Sequence, residues 1–146
     1  MPITLTVPEG LLSQDAESQV FADLAEALLD VAGLSANAFM APNIVGTINV
    51  LPRGHVFAGG KPAPAAFIEL RLPEIALATS EAKQAFIDRA TTAVERAAAG
   101  RLHREHIWTN IVYAADGSWG IAGQSYSNTD LITAIQTAAV PQTANP

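Results

Sequence analysis

The sequence predicts an α+β fold in which two tandem β-α-β units form a four-stranded mixed sheet with two helices on one face. Residues 2–10 (PITLTVPEG) and 67–75 (FIELRLPEI) share an alternating apolar pattern that ends in Pro-Glu, at an offset of 65 residues. Residues 44–60 and 107–123 form a second repeated pair, at an offset of 63 residues. A helical pattern separates the two strands of each half. Each half is therefore predicted to be β-α-β.

The first strand and the first helix follow from side-chain periodicity. Residues 3–7 alternate apolar and hydroxyl side chains, which is the period of a strand with one buried face. A helix is predicted from about residue 14 to residue 32, with Ser13 as its N-cap and Gly33 as the C′ residue. Its apolar residues recur at helical spacing: Val20, Leu24, Leu28 and Val31.

The second half repeats these signals. A helix is predicted from about residue 81 to residue 99, with Ser80 as its N-cap and Gly100 as its C′ residue. Its small and apolar residues again keep helical spacing: Phe86, Ala90, Ala93 and Ala97. Turns at Arg53-Gly54 and Asp116-Gly117 follow the second and fourth strands and predict a short hairpin-like return after each.

A crossover helix makes the two strands of each half parallel neighbours. Two halves related by a pseudo-dyad give the strand order 2-1-3-4, with strands 1 and 3 antiparallel at the centre. The face toward the helices is predicted to carry Ile3, Leu5, Val7, Ile68, Leu70 and Leu72. The opposite face carries Pro2, Thr4, Thr6, Phe67, Glu69 and Arg71. With so few charges, that face is expected to pack in an assembly.

Composition narrows the function classes. The 146 residues fit one domain, and only 15% are charged against about 25% in an ordinary soluble domain, which favours extensive subunit contacts. A net charge of −6 without a basic run argues against a nucleic-acid partner. No cysteine is present, and His103 and His106 lack a nearby third ligand, so no metal site is expected. No apolar run is long enough for a membrane span, and a cytoplasmic protein is expected.

The predicted domain covers residues 1–126, with pseudo-repeats 2–60 and 67–123. Residues 127–146 are predicted to form a C-terminal extension. Within it, residues 128–139 carry Leu131, Ile132 and Ile135 at helical spacing, which predicts a short helix docked on a neighbouring subunit. Residues 141–146 are expected to be a loose end.

Pro2 and Arg71 are predicted neighbours, because antiparallel pairing brings the start of strand 1 to the end of strand 3. If Met1 is removed, the nitrogen of Pro2 is a secondary amine. A nearby cation and partial burial both disfavour its protonated form, which lowers its pKa toward neutrality. Such an amine can act as a base at neutral pH, while Arg71 attracts a substrate carboxylate.

The chain resembles the tautomerase superfamily through its Met-Pro-Ile-Thr start, its two β-α-β halves, and residues 106–112 (HIWTNIV) and 119–123 (WGIAG). The length and residues 54–60 (GHVFAGG) are most similar to the fused-type members near cis-3-chloroacrylic acid dehalogenase and malonate semialdehyde decarboxylase. The resemblance implies an N-terminal proline acting as general base or acid, a pocket completed by arginines and aromatic residues, no cofactor, and a homotrimer.

The resemblance carries over to single positions. Pro2 matches the catalytic proline, and Arg71 falls within a residue or two of the arginines that follow the third strand. Trp119 matches the level of a pocket phenylalanine, as Val56 does in the first half. Asn110 stands where the dehalogenase has a tyrosine. Arg71, Asn110 and Trp119 are therefore the candidate substrate-binding residues.

Other family residues are absent. The dehalogenase histidine falls at Val31, and its glutamate falls at Ser118 or Trp119. The two arginines of the short tautomerases fall at Leu11 and Val45. Because these residues are absent, the resemblance does not identify the substrate.

The leading functional hypothesis is a cofactor-independent keto–enol tautomerase for a small 2-keto or enol acid, with Pro2 as general base or acid. One alternative is a hydratase, dehalogenase or decarboxylase of a three-carbon acid, in which Pro2 is a general acid. Another is a non-catalytic trimer that serves as a binding or scaffold protein.

Overall fold

The computed structural model describes residues 1–139 of the chain. It contains eight strands and three α-helices within that range. In chain order they are β1 (Pro2–Pro8), α1 (Gln14–Val31), β2 (Val45–Leu51), β3 (Phe57–Ala58), β4 (Lys61–Pro62), β5 (Ala66–Pro73), α2 (Ser80–Ala97), β6 (Ile107–Ala114), β7 (Trp119–Ile121), β8 (Gln124–Tyr126) and α3 (Asn128–Ala139).

The four long strands form one mixed sheet in the order β2-β1-β5-β6. The strands of each half, β1 with β2 and β5 with β6, run parallel, while β1 and β5 run antiparallel at the centre. The predicted order 2-1-3-4 and the predicted α+β class are therefore confirmed. Each parallel pair arises because a helix carries the chain back across the same face of the sheet.

The core lies between the sheet and the helices α1 and α2. The predicted helix-facing residues of β1 and β5 are buried: Ile3, Leu5, Val7, Ile68, Leu70 and Leu72. Leu24 of α1 and Phe86 of α2 are fully buried against them. Burying an apolar side chain of this size contributes about 1.5–3 kcal/mol, so the alternation in β1 and β5 fixes which face meets the helices.

The N-cap of α1 is predicted correctly, and the N-cap of α2 is not. The Ser13 side chain accepts a hydrogen bond from the Ala16 amide at 3.2 Å. At α2 the same role belongs to Thr79, which accepts from the Ala82 amide at 3.1 Å, and the predicted cap Ser80 is the first helical residue. Either hydroxyl can cap a helix, so two adjacent candidates leave the sequence ambiguous by one residue.

The two helices also end differently. Gly33 follows α1 with a φ of +69°, as predicted for a C′ glycine. After α2 the left-handed C′ position belongs to Ala99, with a φ of +49°, and the predicted residue Gly100 comes one place later. Helix α2 ends at Ala97, two residues before the predicted end, and its C′ residue is an alanine in a conformation that glycine prefers.

Turns occur at both predicted positions after the long strands. The His55 amide donates to the Pro52 carbonyl and the Ser118 amide donates to the Ala115 carbonyl. Each turn leads into a two-stranded hairpin, β3 with β4 and β7 with β8. The hairpins reverse at Gly59-Gly60 and at Ala122-Gly123, where all four residues have positive φ.

Helix α3 has the predicted bounds but packs on its own chain. Leu131 is 2% exposed, and Ile135 packs against the core. The Asn37 side-chain amide donates to the Ile135 carbonyl at 2.9 Å, which ties α3 to the loop after α1. Leu131 and Ile135 thus cover a surface of the same chain, and docking of α3 on a neighbouring subunit stays a prediction. Residues 141–146, the predicted loose end, lie outside the described range.

No helix within residues 1–139 combines the length and the apolar character that crossing a membrane requires.

Candidate active site

A cavity of about 360 Å³ lies where β1 begins and β5 ends. It is called the Pro2 cavity here. Its lining residues are Pro2, Arg71, Val112, Tyr113, Ala114, Ser118, Trp119 and Gly120.

Strand pairing explains which residues meet in the Pro2 cavity. Ile3 of β1 lies opposite Leu70 of β5, so the next residues outward, Pro2 and Arg71, reach the same edge of the sheet. Val112 of β6 is the parallel partner of Arg71, and β7 begins beside them with Trp119. The structure thus brings together three of the four residues that the sequence singles out.

Asn110 does not line this cavity among the described residues. It is paired with Glu69, two residues before Val112 along β6, and its side chain is exposed. Asn110 therefore lies on the same open face of the sheet but farther from Pro2. Its role in substrate binding stays a prediction.

Arg71 supplies positive charge at the Pro2 cavity. Its Nε lies 2.7 Å from Oε1 of Glu69, and both side chains are solvent-exposed. An exposed ion pair of this kind contributes little to stability, about 0–1 kcal/mol, because water screens it. The guanidinium of Arg71 can therefore exchange Glu69 for another anion at small cost.

Tyr113 and Trp119 form the aromatic part of the cavity. The Tyr113 hydroxyl donates to the Leu77 carbonyl at 3.1 Å, and the Lys83 ammonium lies 5.4 Å from the centre of its ring. Burial raises the pKa of Tyr113, so the phenol remains neutral at physiological pH. Trp119 is half-buried and packs against the core, which fixes its position.

A second cavity lies beside the start of β1, on the helix side of the sheet, and Met1 forms part of its wall. This Met1 cavity measures about 360 Å³. Except for Thr79 its lining is apolar: Met1, Leu28, Val31, Ala32, Leu34, Met40, Pro73, Ile75, Ala76, Leu77, Ala78, Ala82, Leu131 and Ile135. Met1 itself is only 4% exposed. Sequence reasoning misses this cavity, because its walls come from four separate stretches of chain.

The amine of Met1 is buried with its side chain. It donates a hydrogen bond to the carbonyl of Asn43, and burial lowers the pKa of the Met1 amine to about 6. While Met1 is present, the nitrogen of Pro2 belongs to a peptide bond and has no basic lone pair. The chemistry of this site therefore depends on whether Met1 is retained.

The chain that retains Met1 is expected to lose stability as the pH falls from 8 to 6. The amine titrates at 8.0 in the unfolded chain and at about 6 in the folded one, so the unfolded state binds more protons between these values. Stability is therefore greatest above pH 8 and falls as the pH approaches 6. Urea midpoints across this range test the prediction. An N-terminally acetylated chain lacks the titrating group and should decline less; an equal decline in both forms would contradict the prediction.

Among residues 1–139, no group of three or more histidine, cysteine, aspartate or glutamate side chains could hold a metal ion.

Comparison of the sequence with protein-family models and with curated proteins gave no match. Solved structures do match. Pt0534 inactivated by 2-oxo-3-pentynoate is 17% identical, with a TM-score of 0.74 over 90% of this chain and 98% of that one. A fused 4-OT in a symmetric trimer is 15% identical, with a TM-score of 0.75 over 90% and 98%. A member of the cis-3-chloroacrylic acid dehalogenase family is 19% identical, with a TM-score of 0.75 over 97% and 94%.

The chain has the tautomerase-superfamily fold. Within this fold, the structure locates the positions where the sequence departs from the dehalogenase pattern. Val31 lines the apolar Met1 cavity, while Ser118 and Trp119 line the Pro2 cavity. None of them can give or take a proton as a histidine or glutamate does. With this fold, Arg71 and Tyr113 are the ionisable side chains among the residues that line the Pro2 cavity.

Proposed function

We propose that the protein is a cofactor-independent keto–enol tautomerase for a small 2-keto or enol acid. The observation that carries the proposal is the Pro2 cavity, which Pro2, Arg71 and Trp119 line together. After removal of Met1, the Pro2 nitrogen moves the proton and Arg71 holds the substrate carboxylate. The neighbouring arginine and partial burial both favour the unprotonated amine at neutral pH.

The reaction needs one group that alternates between base and acid. The Pro2 amine takes the proton from the enol oxygen, which leaves an enolate and a protonated proline. The same proton then goes to the substrate carbon, which restores the free amine and gives the ketone. Arg71 stabilises the negative charge while it is spread over the enolate and the carboxylate. No electron acceptor or second reactant is required.

We infer that three copies of the chain assemble through the open face of the sheet. That face exposes large apolar side chains: Val45, Phe67, Trp108 and Val112. The rings of Phe67 and Trp108 stack at a centroid distance of 5.8 Å, which presents a rigid aromatic surface. Exposed patches of this kind mark protein interfaces. The fused 4-OT with a similar fold forms a symmetric trimer, which supports the same number here.

The first alternative is hydration, dehalogenation or decarboxylation of a three-carbon acid with Pro2 as general acid. Similarity to the fold of the cis-3-chloroacrylic acid dehalogenase family supports it. Halide release from 3-chloroacrylate isomers distinguishes this reaction from tautomerisation. Sustained release that requires a free Pro2 amine would replace the leading proposal.

The second alternative is a non-catalytic binding or scaffold protein. The burial of Met1 supports it, because a retained Met1 packs among apolar residues and leaves Pro2 in a peptide bond. The two states differ in intact mass, so mass spectrometry of the purified protein separates them.

The test of the leading proposal is covalent labelling with 2-oxo-3-pentynoate, the compound that inactivates Pt0534. A free amine adds to the alkyne carbon β to the ketone, and the α carbon takes up a proton. The chain has only two lysines, Lys61 and Lys83, so a variant with Lys61→Arg and Lys83→Arg retains the N-terminal amine as its sole primary or secondary amine. We expect a chain without Met1 and a single adduct on Pro2 at neutral pH.

The unsubstituted protein and the N-terminally acetylated variant are the matched controls. Acetylation should abolish the adduct. A chain that keeps Met1, or one whose Pro2 stays unlabelled, would remove the central residue of the tautomerase proposal and favour the scaffold alternative.

A further inference from the structure

A third cavity lies at the opposite end of β1 from Pro2. This arginine cavity measures about 350 Å³. Its lining residues are Pro8, Glu9, Gly10, Leu11, Arg53, Pro62, Ala63, Pro64 and Arg101. It shares no lining residue with the Pro2 cavity. Whatever binds here is therefore separate from the proposed tautomerase chemistry.

Two arginines from distant parts of the chain meet at the turn after β1. The Nε of Arg53 donates to the Glu9 carbonyl at 3.1 Å, and the Nε of Arg101 donates to the Leu11 carbonyl at 2.9 Å. Arg53 follows β2 and Arg101 follows α2. Because each guanidinium is tied to the backbone through Nε, its amino groups remain as donors at a fixed place.

Gly10 makes room for one of these guanidiniums. Its φ is +81°, and a Cβ at this position would stand 2.5 Å from an Nη of Arg53. A side chain on residue 10 would therefore displace Arg53, so the turn both orients the guanidinium and leaves it space. Three prolines, Pro8, Pro62 and Pro64, add walls with restricted backbone freedom.

The charges in this cavity are unbalanced within residues 1–139. Of the four other arginines, Arg71, Arg89 and Arg104 each lie within 4.0 Å of a carboxylate oxygen, whereas Arg96 forms no such pair with the described residues. Arg53 and Arg101 form no such pair with the described residues, although the chain carries a net charge of −6. Glu9 is the only acidic residue in the lining.

We propose that the arginine cavity binds a small oxyanion, a carboxylate or a phosphate group, between Arg53 and Arg101. Guanidinium groups suit both, because their planar donors match two oxygens at once. The carboxylate of Glu9 is the internal competitor for the same donors.

The experiment is titration calorimetry of the full chain with malonate and, separately, with inorganic phosphate, at constant ionic strength. We expect saturable binding of one anion per chain at the arginine cavity, measured also in Arg71→Gln, which removes the proposed carboxylate site of the Pro2 cavity. Arg53→Gln and Arg101→Gln should each weaken the affinity about tenfold, as expected for the loss of charge-assisted hydrogen bonds. Glu9→Gln should strengthen it about threefold, because it removes an exposed competing charge. Tighter binding of malonate than of phosphate identifies a carboxylate ligand, and the reverse order identifies a phosphate ligand.

Two further variants test whether anion binding depends on arginines outside the arginine cavity. Arg104→Gln should leave the affinity unchanged, because Arg104 pairs with Asp88 outside the cavity. Arg71→Gln should also leave it unchanged. Anion binding that is lost in Arg71→Gln and kept in both Arg53→Gln and Arg101→Gln would place the site at the Pro2 cavity and overturn the proposal. Absence of saturable binding of either anion to the unsubstituted chain would overturn it as well. Arg53 and Arg101 are exposed, so both variants should fold, and circular dichroism verifies this.

Discussion

Acetylating the Pro2 nitrogen should lower kcat/KM for keto–enol conversion by about 10²–10⁴-fold, the usual contribution of a positioned general base. An acyl group removes the lone pair that takes the proton. The measurement uses the variant with Lys61→Arg and Lys83→Arg, in which no other amine reacts, and follows the enol absorbance of a 2-keto acid before and after treatment.

Thr4→Ala is the matched control for this loss of activity. Thr4 lies on the same face of β1, two residues from Pro2, and is half-buried like it. Its substitution should change kcat/KM by less than about threefold, because nothing assigns it a proton or a charge. Activity that survives acetylation would show that Pro2 is not the base.

Gly46→Ala should lower the free energy of unfolding by about 3 kcal/mol, the upper range for forcing extra atoms into a packed site. Gly46 of β2 is the partner of Ile3 in β1. A Cβ there would overlap the carbonyl oxygen of Ile3 and stand 2.9 Å from the ring of Phe21. The carbonyl belongs to the central strand, so relieving the overlap must move β2 away from β1. Urea unfolding measures the loss.

Gly54→Ala is the control for this substitution. A Cβ added at Gly54 would have no neighbour within 4 Å, and Gly54 is not among the residues with positive φ, so the added methyl meets open space. The free energy of unfolding should change by less than about 0.5 kcal/mol, as at most surface positions. Equal losses in the two variants would show that the effect comes from backbone freedom rather than from the contact with Ile3.

The internal repeat explains why the fold could be predicted. Two segments with the same alternation, each joined through a helix to a second strand, leave few arrangements in which all apolar faces are buried together. The helix ends were less certain, because Thr79 and Ser80 are both capable caps. The N-cap is the residue whose hydroxyl reaches the Ala82 amide, and the two candidates differ by only one position in the sequence.

Part of the candidate site follows from the same topology. Pro2 and Arg71 share a cavity because β1 and β5 are antiparallel, and Trp119 joins them because β7 starts at the same edge. Asn110 lies two residues farther along β6. The resemblance to the dehalogenase predicted a substrate-binding role for Asn110, but the register of β6 determines its distance from Pro2. The cavity around Met1 could not be predicted, since it exists only where α3 folds back over the start of the chain.

Because α3 folds over the start of the chain, the exposure of Met1 differs before and after α3 has been synthesised. Met1 lines its cavity together with Leu131 and Ile135, so the cavity is incomplete until α3 has left the ribosome. At about 5–20 residues per second, the roughly 130 intervening residues take on the order of 10 s to synthesise. Throughout that interval Met1 lacks the cover of Leu131 and Ile135. After α3 closes, the same residue is 4% exposed. We therefore expect Met1 to be removed more readily before α3 packs over it than afterwards.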